Sequence, residues 1–283
     1  MQIKLYPFGI VECFLFLKEL VSALTKILGA TVAIPPLDSL KFSARIHCKI
    51  CSARQRVRMT LSKRFPGFSP QALRFFHDLE RNNNRQWFAE HRADYVQTIA
   101  EPMKQLAVEL IPLVRELDPL IIPNPERAVS RIYRDTRFSN DKSPYRPNVW
   151  IAFRRETECW TQTPVFFFEI KEKEYWFGMG MYSASAAMMR NFRQQIDAHP
   201  AAFLQVIEPF RKSKTLRLES EQYKRRMPCE HPKAVVPWYQ SKSISVIGIR
   251  PPDKMLFSSK IVNFLIGQFV LLKPLYDFLW KAT

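Results

Sequence analysis

The densest group of charged side chains lies in residues 131–146, which read RIYRDTRFSNDKSPYR. Five of these side chains are cationic and two are anionic. Guanidinium groups that converge on a loop suit phosphate or carboxylate, because one planar fork can bind two oxygens of the same anion. The sequence therefore predicts an anion-binding site in this segment.

The proposed site divides into three groups of side chains. The residues expected to contact the anion are Arg131, Arg134, Arg137 and Lys142. The residues expected to orient these cations are Asp135 and Asp141, and those expected to line the pocket are Tyr133, Tyr145 and Tyr182. The alternative is a structural protein or interaction protein, in which the same charges form a salt-bridge network that ties the loop to the sheet.

A second alternative is enzymatic and rests on Asp141, Glu169 and Lys171. Side chains two apart on a strand share a face, so Glu169 and Lys171 should lie together. Some metal-dependent nucleases use such a set, with carboxylates that hold Mg²⁺ and a lysine that assists charge or water. This pattern would make the protein a metal-dependent phosphoester hydrolase, but an ordinary cross-strand ion pair is the simpler explanation of the same residues. Without this alternative we expect neither a metal nor a cofactor.

Cysteine and histidine give weaker signals. Cys48 and Cys51 form a C-x-x-C pair, but no second pair completes the four ligands of a zinc site. Cys229 and His231 could act in nucleophilic catalysis, yet no motif frames them. The five cysteines, an odd number, suit a reducing compartment, and we expect a cytoplasmic protein.

The net charge of the chain indicates which classes of binding partner it would attract. Its net charge is +17, an excess that attracts anionic partners, including nucleic acid, phosphorylated small molecules and anionic lipid. A second basic tract with aromatic neighbours runs through residues 211–226, but no recognised nucleic-acid module is visible. We expect no transmembrane segment, because the best apolar run, residues 261–272, is shorter than the roughly 18 residues required.

Helices and strands must position these groups. Ser69 and Pro70 indicate a helix start, Asn84 can cap the next helix, and an apolar stripe continues to residue 117. Strands are predicted at residues 129–133, 148–154, 163–171, 174–182 and 243–249, and helices at 185–198, 201–211 and 259–280. This order predicts an α+β fold, a single domain with an antiparallel sheet between N-terminal and C-terminal helices. We place this domain at residues 59–283 and expect residues 1–58 to be a poorly ordered extension or a mis-annotated start.

Four sequence motifs, which occur in a fixed order along the chain, resemble those of a known protein family. They are the Phe-Pro-Gly-Phe-Ser-Pro element from residue 65, the Asn-Asn-Arg-Gln-Trp-Phe element from residue 83, the segment 133–145, and Gly-Met-Gly-Met-Tyr from residue 178. Together they resemble a family of conserved hypothetical proteins from bacteria and fungi, the domain of unknown function 2461 family. The resemblance covers about residues 65–283. It implies one intact intracellular domain and no established activity, and it leaves residues 1–58 outside the pattern.

Overall fold

The computed structural model describes residues 64–137 and 140–283. The extension expected over residues 1–58, with its Cys48–Cys51 pair, lies outside the described residues. Five α-helices precede the sheet in the described chain, and they are α1 (Pro70–Arg81), α2 (Arg85–Glu90), α3 (Arg92–Tyr95), α4 (Glu101–Leu117) and α5 (Pro125–Ala128). A π-helical turn, Val96–Ala100, joins α3 to α4.

Helix boundaries follow the capping residues. Asn84 caps α2, where its side-chain oxygen accepts a hydrogen bond from the backbone N–H of Trp87 at 2.9 Å. Ser69 lies at the N-cap of α1 but makes no side-chain capping bond, so Pro70 at the first helical position gives the local signal there. Helix α4 ends before Asp118, as the Asp-Pro sequence predicts.

Five strands form one antiparallel sheet in the order β1-β2-β3-β5-β4. The strands are β1 (Asn148–Phe153), β2 (Val165–Lys171), β3 (Tyr175–Gly180), β4 (Leu216–Leu218) and β5 (Ser245–Arg250). The predicted hairpin is β2–β3, with Phe168 opposite Phe177. An antiparallel sheet with helices before and after it confirms the predicted α+β fold.

The strand predicted at residues 129–133 is wrong as a continuous strand. Val129 and Tyr133 form only isolated bridges, to Ile151 and Tyr145. Pro144 and Pro147 flank the pairing segment and have no backbone N–H, so a regular ladder cannot extend through it. The segment is therefore a loop pinned at separate points.

Four helices lie after β3 in the described chain, and they are α6 (Ala186–Ala198), α7 (Pro200–Arg211), α8 (Val236–Tyr239) and α9 (Lys260–Trp280). Helix α9 alone among the described helices is long and apolar enough to cross a membrane by length and composition. It packs on β2, β3, α4 and α7, and Tyr276 stacks on Phe166 with ring centroids 4.5 Å apart. Helix α9 therefore contributes buried side chains to the core.

A buried polar contact joins three distant parts of the domain. Asp118 after α4 accepts hydrogen bonds from Arg155 Nε at 2.7 Å and from the Tyr276 hydroxyl at 2.5 Å. Asp118 is 3% exposed and Tyr276 is fully buried. The contact ties the end of α4 to the end of β1 and to α9.

Candidate anion-binding site

The side chain of Asn83, which lies between α1 and α2, binds the backbone of the segment 131–146. Asn83 Nδ2 donates to the carbonyl of Tyr145 at 2.9 Å, and Asn83 Oδ1 accepts from the N–H of Tyr145 at 3.1 Å. The Tyr145 ring stacks on Phe88 with centroids 4.1 Å apart and is buried. Burial raises the pKa of Tyr145. Tyr145 therefore anchors the segment, whereas the sequence analysis placed it in the wall of a pocket.

Tyr133 belongs to the same aromatic group but faces solvent. Its ring lies 5.5 Å from Tyr145 and 6.3 Å from Phe88 between centroids, and the residue is 54% exposed. Tyr95 lies deeper, where burial first and the proximity of Tyr133 second raise its pKa to about 12. The segment thus presents one exposed ring that is held from beneath by buried ones.

Arg134 is half-buried and partly paired. Its Nη2 lies 3.1 Å from Asp141 Oδ2 and 3.4 Å from the carbonyl of Tyr145. Its Nε is closed to solvent and has no hydrogen-bond partner. Hydrogen bonds from Ser143 first, and the charge of Arg134 after them, lower the pKa of Asp141. Arg134 therefore keeps one unused donor while part of its charge is offset.

Arg137 and Lys142 are engaged within the loop. Arg137 forms a fork on Asp135, with Nε 3.0 Å from Oδ1 and Nη2 2.7 Å from Oδ2. These hydrogen bonds lower the pKa of the exposed Asp135 carboxyl to about 2. Lys142 Nζ donates to the carbonyl of Thr136 at 2.8 Å. The contacts of Arg137, Asp135 and Lys142 resemble the salt-bridge network of the structural alternative.

Arg131 differs from the other predicted cations. It is exposed, and it makes no hydrogen bond or ion pair to any residue that the structure describes. Its neighbour Arg146 was not assigned to the site from sequence. The Arg146 Cζ lies over Trp150, 4.5 Å from the ring centroid, and Arg146 Nη2 donates to the carbonyl of Tyr133 at 2.8 Å.

Arg131, Arg134 and Arg146 come from two paired backbone segments, because the N–H of Arg134 donates to the carbonyl of Pro144 at 2.9 Å and the N–H of Arg146 donates to the carbonyl of Ile132 at 2.8 Å. Burial first lowers the pKa of Arg146, and the charges of Arg134 and Arg131 lower it further. Tyr182 lies near enough to Arg146 to affect the pKa of Arg146, and Tyr182 is 85% exposed.

The contact between Arg146 and Trp150 could have been found from sequence only by the spacing of four residues across Pro147, which is a weak signal.

The residues of the enzymatic alternative are engaged with other partners. Glu169 and Lys171 share the sheet face opposite the core, and Lys171 Nζ lies 3.8 Å from Glu169 Oε1. Asn148 Nδ2 donates to the same Glu169 oxygen, and Lys171 Nζ lies 3.4 Å from the Trp176 ring centroid. In residues 64–137 and 140–283 no group of three or more His, Cys, Asp or Glu side chains is placed to hold a metal.

The fold and this surface define an α+β domain that carries a basic, aromatic-rimmed loop beside its sheet. A family profile described as conserved hypothetical protein (DUF2461) matches residues 71–278, so the chain belongs to that family. The resemblance identified from the four motifs is therefore confirmed. No curated protein matches the chain.

Proposed function

We propose that the domain binds a phosphate-bearing anionic ligand at the surface formed by Arg131, Arg134 and Arg146, and that single-stranded nucleic acid is the class that fits best. The observation that carries the proposal is the backbone pairing of residues 132–134 with 144–146, which brings Arg134 and Arg146 together beside Arg131 and the exposed Tyr133. Tyr182 is also exposed, and its proximity affects the pKa of Arg146. We call this group, with Tyr133 and Tyr182, the arginine–tyrosine surface.

The charge balance of the surface supports an anionic ligand. Arg137 pairs with Asp135, and Arg134 pairs with Asp141. Arg131 makes no ion pair with any described residue, and the Arg146 guanidinium contacts a carbonyl and an aromatic ring. A phosphate would relieve the mutual repulsion of these cations, because each guanidinium can donate two hydrogen bonds to it.

The exposed rings support a nucleic acid over a bare anion. Tyr133 is 54% exposed and Tyr182 is 85% exposed, so both can offer a ring face to a base. Proteins that bind single strands combine a positive surface with such stacking rings, and they do so without sequence preference. The net charge of +17 would raise the rate of encounter with any polyanion.

The other two interpretations receive different support. The Arg137–Asp135 fork and the Lys142 bond favour a structural role for the distal part of the loop. For the hydrolase, the Glu169 carboxylate is already bound by Asn148 and Lys171 within the described residues. We therefore restrict the proposal to binding, through the three clustered arginines.

A salt titration tests the proposal. We would measure binding of a fluorescent single-stranded oligonucleotide of about 12 nucleotides, a length within the range that one binding domain covers. If three arginines each neutralise one phosphate, log K should fall with log salt at a slope of about −2, and Arg131→Gln should reduce that slope by about 0.7. Tyr182→Ala should weaken binding about tenfold through lost stacking, with the slope unchanged.

Lys281→Gln is the control for loss of one exposed charge. Lys281 follows Trp280, whose ring lies 4.1 Å from Arg155 Cζ, so it is near the end of β1 that is opposite to Arg146. This control should bind like the wild type. If Arg131→Gln and Tyr182→Ala also bind like the wild type, with the same slope, the proposed surface is not the binding site.

A further inference from the structure

Arg193 on α6 is a buried cation without a hydrogen-bond partner. It is 8% exposed, and its Nη1 atom is closed to solvent. A guanidinium carries five N–H donors, and none of those of Arg193 meets an acceptor in the described residues. Buried charges are normally paired, because an uncompensated one is strongly destabilising. The position therefore calls for an acceptor that the chain does not supply.

The nearest candidate carboxylate is already occupied. Asp197 lies one helical turn after Arg193 on α6, the usual spacing for an ion pair. Its Oδ1 lies 2.7 Å from His231 Nε2, and its Oδ2 accepts a hydrogen bond from the Tyr239 hydroxyl at 3.1 Å. Both carboxylate oxygens of Asp197 therefore have partners from a later loop and from α8, and Asp197 forms no ion pair with Arg193 in the described residues.

An aromatic ring lies beside the unpaired guanidinium, and a basic stretch of the chain follows that ring. The Arg193 Cζ lies 5.7 Å from the ring centroid of Tyr223, which is half-buried. Directly after Tyr223 come Lys224, Arg225 and Arg226, which are all exposed and form no ion pair within the described residues. The chain next to Tyr223 is therefore positively charged, and such a charge attracts anions to this part of the surface.

We propose that Arg193 is the base of a second binding site, which takes a small oxyanion, either phosphate or carboxylate. The oxyanion would accept hydrogen bonds from Arg193, lie against the Tyr223 ring, and be drawn in by the basic triplet 224–226. The site is formed by α6, the loop before α8, and α8, so it shares no residue with the arginine–tyrosine surface and does not depend on that proposal.

The test measures thermal unfolding of the whole chain in chloride, phosphate and acetate at equal ionic strength. A ligand at about 100 times its Kd should raise the Tm by about 5–10 °C for a domain of this size. Arg193→Met keeps most of the side-chain volume and removes the charge. We expect this variant to have a higher Tm than the wild type in chloride and no response to the oxyanion that shifts the wild type.

Arg190→Met is the matched control. Arg190 lies on the same helix three residues earlier and is exposed, so this variant should keep the wild-type Tm in chloride and the full oxyanion response. The phosphate and acetate arms identify which oxyanion binds. If neither shifts the wild-type Tm beyond chloride, or if Arg193→Met responds like the wild type, the site does not exist and ordered water satisfies Arg193.

A second variant protects the test against a folding failure at Arg193. Replacing Lys224, Arg225 and Arg226 together by glutamine changes only exposed side chains, so the fold should be retained. Isothermal titration calorimetry with the active oxyanion should show about tenfold weaker binding, since three attractive charges of modest individual strength are lost. Unchanged affinity in this variant would contradict the proposed approach to Arg193.

Discussion

Tyr276→Phe tests whether the buried contact at Asp118 stabilises the domain. The change removes one oxygen atom and leaves the ring stacked on Phe166, so packing in the core is retained. It deletes the hydrogen bond of 2.5 Å to Asp118 Oδ2. That oxygen keeps the 2.7 Å bond from Arg155, and Asp118 Oδ1 keeps the 3.1 Å bond from the N–H of Leu120.

The expected loss of stability follows from these contacts. A hydrogen bond to a charged acceptor contributes about 1.5–3 kcal/mol, and the remaining donors to Asp118 hold the effect near the lower end. We expect Tyr276→Phe to lower the free energy of unfolding by about 2 kcal/mol. Asp118→Ala should cost more, about 3 kcal/mol, because it leaves the Arg155 guanidinium without its carboxylate. Arg155 retains 25% side-chain exposure, which keeps that figure at the low end for a buried pair.

Urea denaturation followed by circular dichroism measures both changes. Tyr182→Phe is the matched control, since it removes the same atom from a side chain that is 85% exposed, and it should leave the midpoint unchanged. The double variant of Asp118→Ala with Tyr276→Phe should cost less than the two single changes added together. A loss below 0.5 kcal/mol for Tyr276→Phe, as for the control, would refute the reasoning.

Two further predictions concern acid stability and the loop. Burial opposes ionisation of Asp118, but hydrogen bonds from Arg155 and Tyr276 outweigh it and lower the pKa of the carboxyl. Its stabilising contribution is therefore complete above the unfolded value of about 3.9 and lost as pH falls through the folded pKa. Asp118→Asn should flatten the acid limb of a plot of Tm against pH, and an unchanged limb would exclude Asp118 as its source. Asn83→Ala removes both bonds to the Tyr145 backbone, so it should cost about 1–3 kcal/mol and speed hydrogen exchange of the Tyr145 amide. Exchange at the wild-type rate would show that other contacts hold the loop.

The long elements were predictable because each has a local cause. Pro70 and Asn84 indicate helix starts, and the aromatic runs on either side of residues 171–173 predict the β2–β3 hairpin. Strand β4 and helix α8 have three and four residues, which is too short for any periodicity to show. The interrupted pairing near Tyr133 depends on Pro144 and Pro147 facing it, which only the folded chain brings about.

The candidate site was predictable by residue type but not by pairing. The sequence shows five cations and two aspartates in one segment. It does not show that Asp135 forms an ion pair with Arg137, or that Arg131 forms none with the described residues. Nor does it place Arg146 over Trp150. Nor does it show that the partners of Asp197 are His231 and Tyr239, far along the chain, and that Arg193 on the same helix forms no ion pair in the described residues. Such competition among partners is decided by the tertiary fold.

The two edges of the sheet, at β1 and β4, offer few backbone groups to which another strand could pair. Along β1, the N–H of Ser130 donates to the carbonyl of Trp150 at 2.8 Å, and the N–H of Trp150 donates to the Ser130 hydroxyl at 3.0 Å. On the opposite border, β4 offers only three residues, with the exposed charge of Arg217 at its centre. Short, occupied or charged borders discourage strand addition. Growth into cross-β aggregates through these two edges of the native sheet should therefore be disfavoured.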